Sequence, residues 1–221
     1  MKTTISDSTV ISEKNFLTKF LLTCGILSSL LYVATDLLAS WLYEGYSIAD
    51  QNYSELLATG APTRHFMLLV SIAYNLLVAA FSVGVRRSAS PKRTARITGI
   101  IMFGYAVLSM VTPFFFPMDM RGAELTTRGS LYNPLTAVMS LFILLSMGFG
   151  AFLHDRRFRF YSFTTIVVVI LFGVLTGLQI PQLEAGQPTR WMGFTERINI
   201  YATMLWFAVL SIILWRSEKE Q

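Results

Sequence analysis

Six apolar stretches, each long enough to cross a hydrocarbon layer as a helix, take up most of this 221-residue chain and decide what it can become. They run over about 18–42, 65–85, 97–116, 133–153, 161–180 and 198–215, against the roughly 20 residues that a spanning helix needs. A membrane β-barrel would instead alternate apolar and polar residues in segments of about ten. The run TTIVVVILFGVLTGL at 164–178 shows no such alternation. The sequence therefore predicts an all-α, six-transmembrane-helix bundle over 16–216, with short tails at 1–15 and 217–221. Only 14% of the residues are charged, which leaves no room for a sizeable soluble domain.

The connections between these stretches differ in charge. Thirteen of the eighteen Lys and Arg lie in the N-terminal stretch through Lys19, the 86–96 and 154–159 connections and the C-terminal end. The positive-inside rule puts this set, with both termini, in the cytoplasm. The other five, Arg64, Arg121, Arg128, Arg190 and Arg197, fall in the opposite loops, where there is no lysine. Arginine is the side chain suited to bidentate pairing with carboxylate or phosphate. Seven acids share those loops: Glu44, Asp50, Glu55, Asp119, Glu124, Glu184 and Glu196. The net charge of +5 is thus a topology signal, and nucleic acid is not an expected partner.

Cys24 is the sole cysteine, so the chain forms no internal disulfide. The first apolar run is too long for the h-region of a signal peptide and carries Asp36, so it is expected to remain as a span. The outer connections are longer than the cytoplasmic ones and hold most of the proline, which places structured loops and any site on the outer face. In the first, Asn52 and Glu55 have capping-box spacing, and Tyr53, Leu56 and Leu57 form an apolar stripe. A short helix over 53–59 is predicted there, stopped by Gly60 and Pro62.

Several short motifs accompany this pattern: GYS at 45–47, YSEL at 53–56, ATGAP at 58–62, FPMD at 116–119 and GFTERI at 193–198. In order and spacing they resemble a family of prokaryotic multi-pass membrane proteins known as domain of unknown function 998, over residues 18–215. The resemblance implies a six-span fold in a prokaryotic cell membrane and no assigned activity. Similar proteins tend to carry a histidine just before the fourth span, where this chain reads SLYNP, with Tyr132 and Asn133 at that place.

The motifs and the outer arginines point to one region. Asp119 and Arg121 follow the third span, Arg128 precedes the fourth, Glu196 and Arg197 open the sixth, and His65 opens the second. Asp36 lies within the first span, where a carboxylate at mid-membrane costs on the order of 2.5–3.5 kcal/mol. Arg64, Arg121 or Arg197 would offset that cost. Together with Glu55 these groups form the expected ligand site: Asp36, Glu55, His65, Asp119, Arg121, Arg128, Glu196 and Arg197. They could instead serve as structural ion pairs, with Glu55 a helix cap and Asn75 an interhelical anchor.

The leading expectation is a membrane protein that binds an anionic lipid headgroup or small anion at this cluster. An intramembrane hydrolase or transferase with Asp119 or Glu196 as general base is the alternative, followed by a small transporter or an accessory subunit. No complete catalytic set is visible. His65 and His154 fall on opposite faces, so neither a metal nor another cofactor is expected. The aromatics Trp41, Tyr43, Tyr46, Tyr53, Trp191 and Phe114–Phe116 are expected to form an interfacial belt.

Overall fold

The computed structural model describes residues 3–88 and 92–218, with side chains from Asn15 onward except Lys92. The part of the basic 86–96 connection at 89–91 and the part of the C-terminal tail at 219–221 lie outside the described residues, as do the first two residues. Seven α-helices follow in order: α1 Thr3–Leu42, α2 Arg64–Arg87, α3 Lys92–Phe115, α4 Tyr132–Gly150, α5 Arg156–Gly177, the short α6 Ile180–Glu184, and α7 Met192–Ser217. Tyr53–Leu57 and Gly129–Leu131 are 3-10 turns. Six segments are long and apolar enough to cross a membrane, and no strand occurs among the described residues.

The spans form a ring in the order α1, α2, α3, α4, α5, α7 and back to α1. Small residues let the tightest neighbours close up. A Cβ on Gly99 of α3 would lie 2.6 Å from the Ser82 carbonyl oxygen of α2, and one on Gly84 would lie 2.9 Å from the Leu22 nitrogen of α1. Contact this close is how membrane helices gain dispersion energy without a hydrophobic drive between them. Among neighbouring spans of the ring, α4 and α5 form the loosest pair.

The half of the bundle nearer the termini is solid. Phe81, Met147, Trp206, Phe207, Leu210 and Leu214 are fully buried there. Phe81 and Phe207 meet edge-on at 5.9 Å, and the Trp206 indole donates to Ser162 Oγ at 3.0 Å. That bond satisfies the one polar atom of a buried tryptophan.

Helix ends differ from the expected spans for identifiable reasons. Asp155 caps α5 by accepting from the Phe158 amide at 2.9 Å, so most of the expected 154–159 connection is already helical. The sixth span starts earlier than expected, at Met192, which takes Glu196 and Arg197 into the helix. The expected helix at 53–59 is a 3-10 turn over Tyr53–Leu57, and its capping box is formed as the spacing requires. Asn75 does not reach a neighbouring helix: its amide donates to the Ser71 carbonyl of its own helix at 2.8 Å.

Candidate functional site

At the end of the ring away from the termini, the loops between spans fold over the helix ends as a cap. Its first joint is buried. Asp36 of α1 is 1% exposed and Arg197 of α7 is 5% exposed. Arg197 Nε donates to Asp36 Oδ2 at 2.9 Å and Nη2 donates to Asp36 Oδ1 at 2.8 Å, a bidentate fork. Nη1 donates to the carbonyls of Ile48 at 2.8 Å, Gln51 at 3.0 Å and Gly193 at 3.2 Å. Nη2 also reaches Tyr46 Oη at 2.9 Å. A guanidinium has five N–H donors, and here each has a protein acceptor. Tyr201 Oη donates to Asp36 Oδ2 at 2.5 Å, so the carboxylate is satisfied as well.

Tyr46 completes this joint. Burial pushes its phenol pKa up, against the opposing pull of Arg197, so the ring stays neutral. It donates toward the carbonyls of Gln51 and Asn52 at 3.0 and 2.7 Å. Gly193 allows the loop to approach: a Cβ there would fall closer than 3.0 Å to the carbonyl oxygens of both Ile48 and Gln51.

The second joint is Arg121 with Glu55. Nε donates to Oε2 at 3.0 Å and Nη2 to Oε1 at 2.7 Å, while Nη1 donates to the Gln187 carbonyl at 3.1 Å and Thr189 Oγ1 at 2.8 Å. Arg121 therefore ties three loops together. Free space beside it amounts to about 40 Å³, close to the roughly 30 Å³ of one water molecule. Arg121→Gln is expected to lower the thermal midpoint of the purified protein, at a cost of about 1–3 kcal/mol from a partner left unpaired. A midpoint within 1 °C of wild type would contradict this role.

The remaining expected residues are dispersed. Asp119 accepts from the Thr126 amide at 2.8 Å and from its hydroxyl at 3.1 Å, closing a loop over Gly129. Arg64 donates to the carbonyls of Leu57 and Pro113. His65 and Arg128 are exposed. Neither belongs to a potential metal-binding group among the described residues. Of the expected belt, Trp41 and Trp191 are exposed, but Tyr46 and Tyr53 turn inward.

Glu196 stands apart from both joints. It lies one residue before Arg197 but makes no ion pair with it, because that guanidinium is engaged by Asp36. Its carboxylate accepts from the Tyr53 amide and, at 3.4 Å, from Ser54 Oγ, which in turn accepts from Tyr132 Oη at 2.6 Å. These groups form the roof of a cavity of about 580 Å³ inside the ring, within the range of small-molecule sites.

Five tyrosines line it: Tyr32, Tyr53, Tyr74, Tyr105 and Tyr132. Tyr32 stacks on Tyr53 at 4.5 Å and meets Tyr74 edge-on at 5.1 Å, and the Tyr74 and Tyr105 hydroxyls share a hydrogen bond of 3.2 Å. Below the roof the wall includes the apolar Ile143, Leu144, Val169 and Met204 from α4, α5 and α7, with Tyr32, Tyr74 and Tyr105 lining it from α1, α2 and α3. From Tyr132 to Leu144 the cavity follows α4 for about 18 Å at 1.5 Å per residue. Leu141 and Val174 line it and are still 54% and 55% exposed, so it opens sideways between α4 and α5.

The profile of a family described as "Protein of unknown function (DUF998)" matches residues 26–213. The chain belongs to that family. The DUF998 match takes in both joints, the roof residues and the whole cavity. No curated protein and no solved structure matches the chain. The tyrosines at 32, 74 and 105 were the signal missed in the sequence: they are phenols placed deep within apolar spans, away from any interfacial belt. Tyr132 and Asn133, just before the fourth span, line the same cavity.

Proposed function

We propose that this DUF998 protein binds a membrane-derived amphiphile, its head under the cap at Glu196 and its tail in the apolar part of the cavity. The observation that carries this reading is a cavity with a carboxyl group in its roof and the apolar Ile143, Leu144, Val169 and Met204 in its wall, together with its side opening between α4 and α5. A lipid-like molecule could enter through that opening without leaving the bilayer. By the positive-inside rule the capped end faces outward, so the ligand would come from the outer leaflet. The anion suggested by loop charge would have to compete with Asp36 and Glu55 for guanidinium groups already fully bonded, and Arg128 is the candidate cation left exposed to it. The packed half toward the termini favours binding or exchange with the membrane over passage through the bundle.

Ala137→Trp tests the reading, because Ala137 lines the cavity from α4 and is itself exposed, as Leu141 is. Extracts of protein purified in mild detergent are compared by mass spectrometry, with the melting temperature as the fold control. An amphiphile enriched in wild type is expected to fall at least tenfold in a folded variant. No enriched species in wild type, or equal enrichment in both, would overturn the proposal.

A hydrolase or transferase acting on the same ligand is the second reading, favoured by Ser54 Oγ lying between Tyr132 and Glu196. It requires Ser54→Ala to retain the amphiphile and abolish its turnover.

A further inference from the structure

The sign of the cavity points to the head group it accepts. Glu196 carries the one carboxyl group of the lining, which contains no Lys, Arg or His. The nearby arginines make no ion pair with it. Arg197 is committed to Asp36 and to loop carbonyls, and Arg121 to Glu55. A single carboxylate thus faces a space walled by phenol rings.

Those rings carry negative potential on their faces, which attracts organic cations, most strongly when water is excluded. They also form one connected wall. Tyr53 binds Glu196 through its amide and stacks on Tyr32, Tyr32 meets Tyr74, and Tyr74 bonds to Tyr105. Tyr132 joins Glu196 through Ser54 on the other side. An anionic head would meet a carboxylate and several ring faces with no cation to receive it. A neutral head would leave Glu196 in a poorly solvated place where a carboxyl group takes up a proton, whereas a cationic head would favour its charged form.

We infer that the amphiphile carries a positively charged nitrogen, an amine or quaternary ammonium head, held by Glu196 and the tyrosine wall. The inference rests on the proposed amphiphile site and specifies its chemistry. A small cation without a tail would leave Ile143, Leu144, Val169 and Met204 of the cavity wall uncovered, so a hydrocarbon tail is preferred.

The test uses the full chain in an uncharged maltoside detergent with probes of one tail length: tetradecyltrimethylammonium, tetradecylamine, tetradecanol and tetradecanoate. Binding is read by quenching of intrinsic fluorescence. Both cations are expected to bind at least about tenfold more tightly than the alcohol, and the carboxylate more weakly than the alcohol. Glu196→Gln should bring the cations down to about the level of the alcohol in the same variant. Tyr74→Leu, which removes a ring face without touching Glu196, should weaken the cations relative to the alcohol by about threefold or more. It serves if Glu196→Gln fails to fold.

Equal binding of cation and alcohol in wild type, or an unchanged ratio in both variants, would overturn the cationic head and leave the amphiphile site standing. Absence of binding by all four probes would overturn the amphiphile site itself.

Discussion

Replacing Arg197 by glutamine is expected to destabilise the protein by about 3–5 kcal/mol, the usual cost of leaving one member of a buried ion pair alone. The size follows from what the guanidinium does. It neutralises Asp36 inside the bundle, and it holds the 48–51 loop against α7 through the carbonyls of Ile48 and Gln51. Glutamine has no charge for the first task and only two donors to share between both. Asp36→Leu should be similarly severe, since it strands the arginine. The double variant Arg197→Met with Asp36→Leu removes both charges and should be more stable than either single charge-removing variant, as buried pairs replaced by apolar groups often are. Melting temperature and yield in detergent measure all three. An Arg197→Gln protein within about 1 kcal/mol of wild type would show that the pair does not hold the cap.

This pairing also explains how far the sequence could be read. The six spans were legible because apolar length is a local property, and the capping box at Asn52 and Glu55 was legible because its spacing is three residues. Asp36 was recognisable as a carboxylate that required a partner, and Arg197 was among the arginines able to supply it. Which arginine did so depended on α1 and α7 being neighbours in the ring, a fact of tertiary packing that no short window contains. The same limit hid the cavity. Tyr32, Tyr74 and Tyr105 lie on three different helices and become one wall only when α1, α2 and α3 are side by side.

The charge pattern that drew attention to the outer arginines therefore has two parts. Arg197, Arg121 and Arg64 build the cap, through Asp36, Glu55 and the Leu57 and Pro113 carbonyls. Glu196 is one of the acids their pairing leaves over, and the one that lines the cavity. Arginine suits the structural part because one planar group can serve several fixed acceptors in different loops at once. Lysine, with three donors on a flexible stem, could not reproduce the fork to Asp36 and the bonds to Ile48 and Gln51 together.

Gly193→Val is expected to open the cap from its other side. A Cβ at this position falls closer than 3.0 Å to the carbonyl oxygens of Ile48 and Gln51, and both belong to backbone. The loop must move outward, and it then takes away the acceptors of Arg197 Nη1. Overpacking costs about 1–3 kcal/mol, and hydrogen bonds to a charged donor contribute about 1.5–3 kcal/mol, so a loss of at least 2 kcal/mol is expected. Because the damage passes through Arg197, it should add incompletely to Arg197→Gln, with a coupling of about 0.5–3 kcal/mol in a double-mutant cycle. Gly148→Ala is the control. Its Cβ would meet nothing within 4 Å, and alanine is the better helix former by about 0.8–1.0 kcal/mol, so that variant should be as stable as wild type or more so. Full additivity of Gly193→Val with Arg197→Gln would mean that the glycine acts on something other than the loop that Arg197 holds.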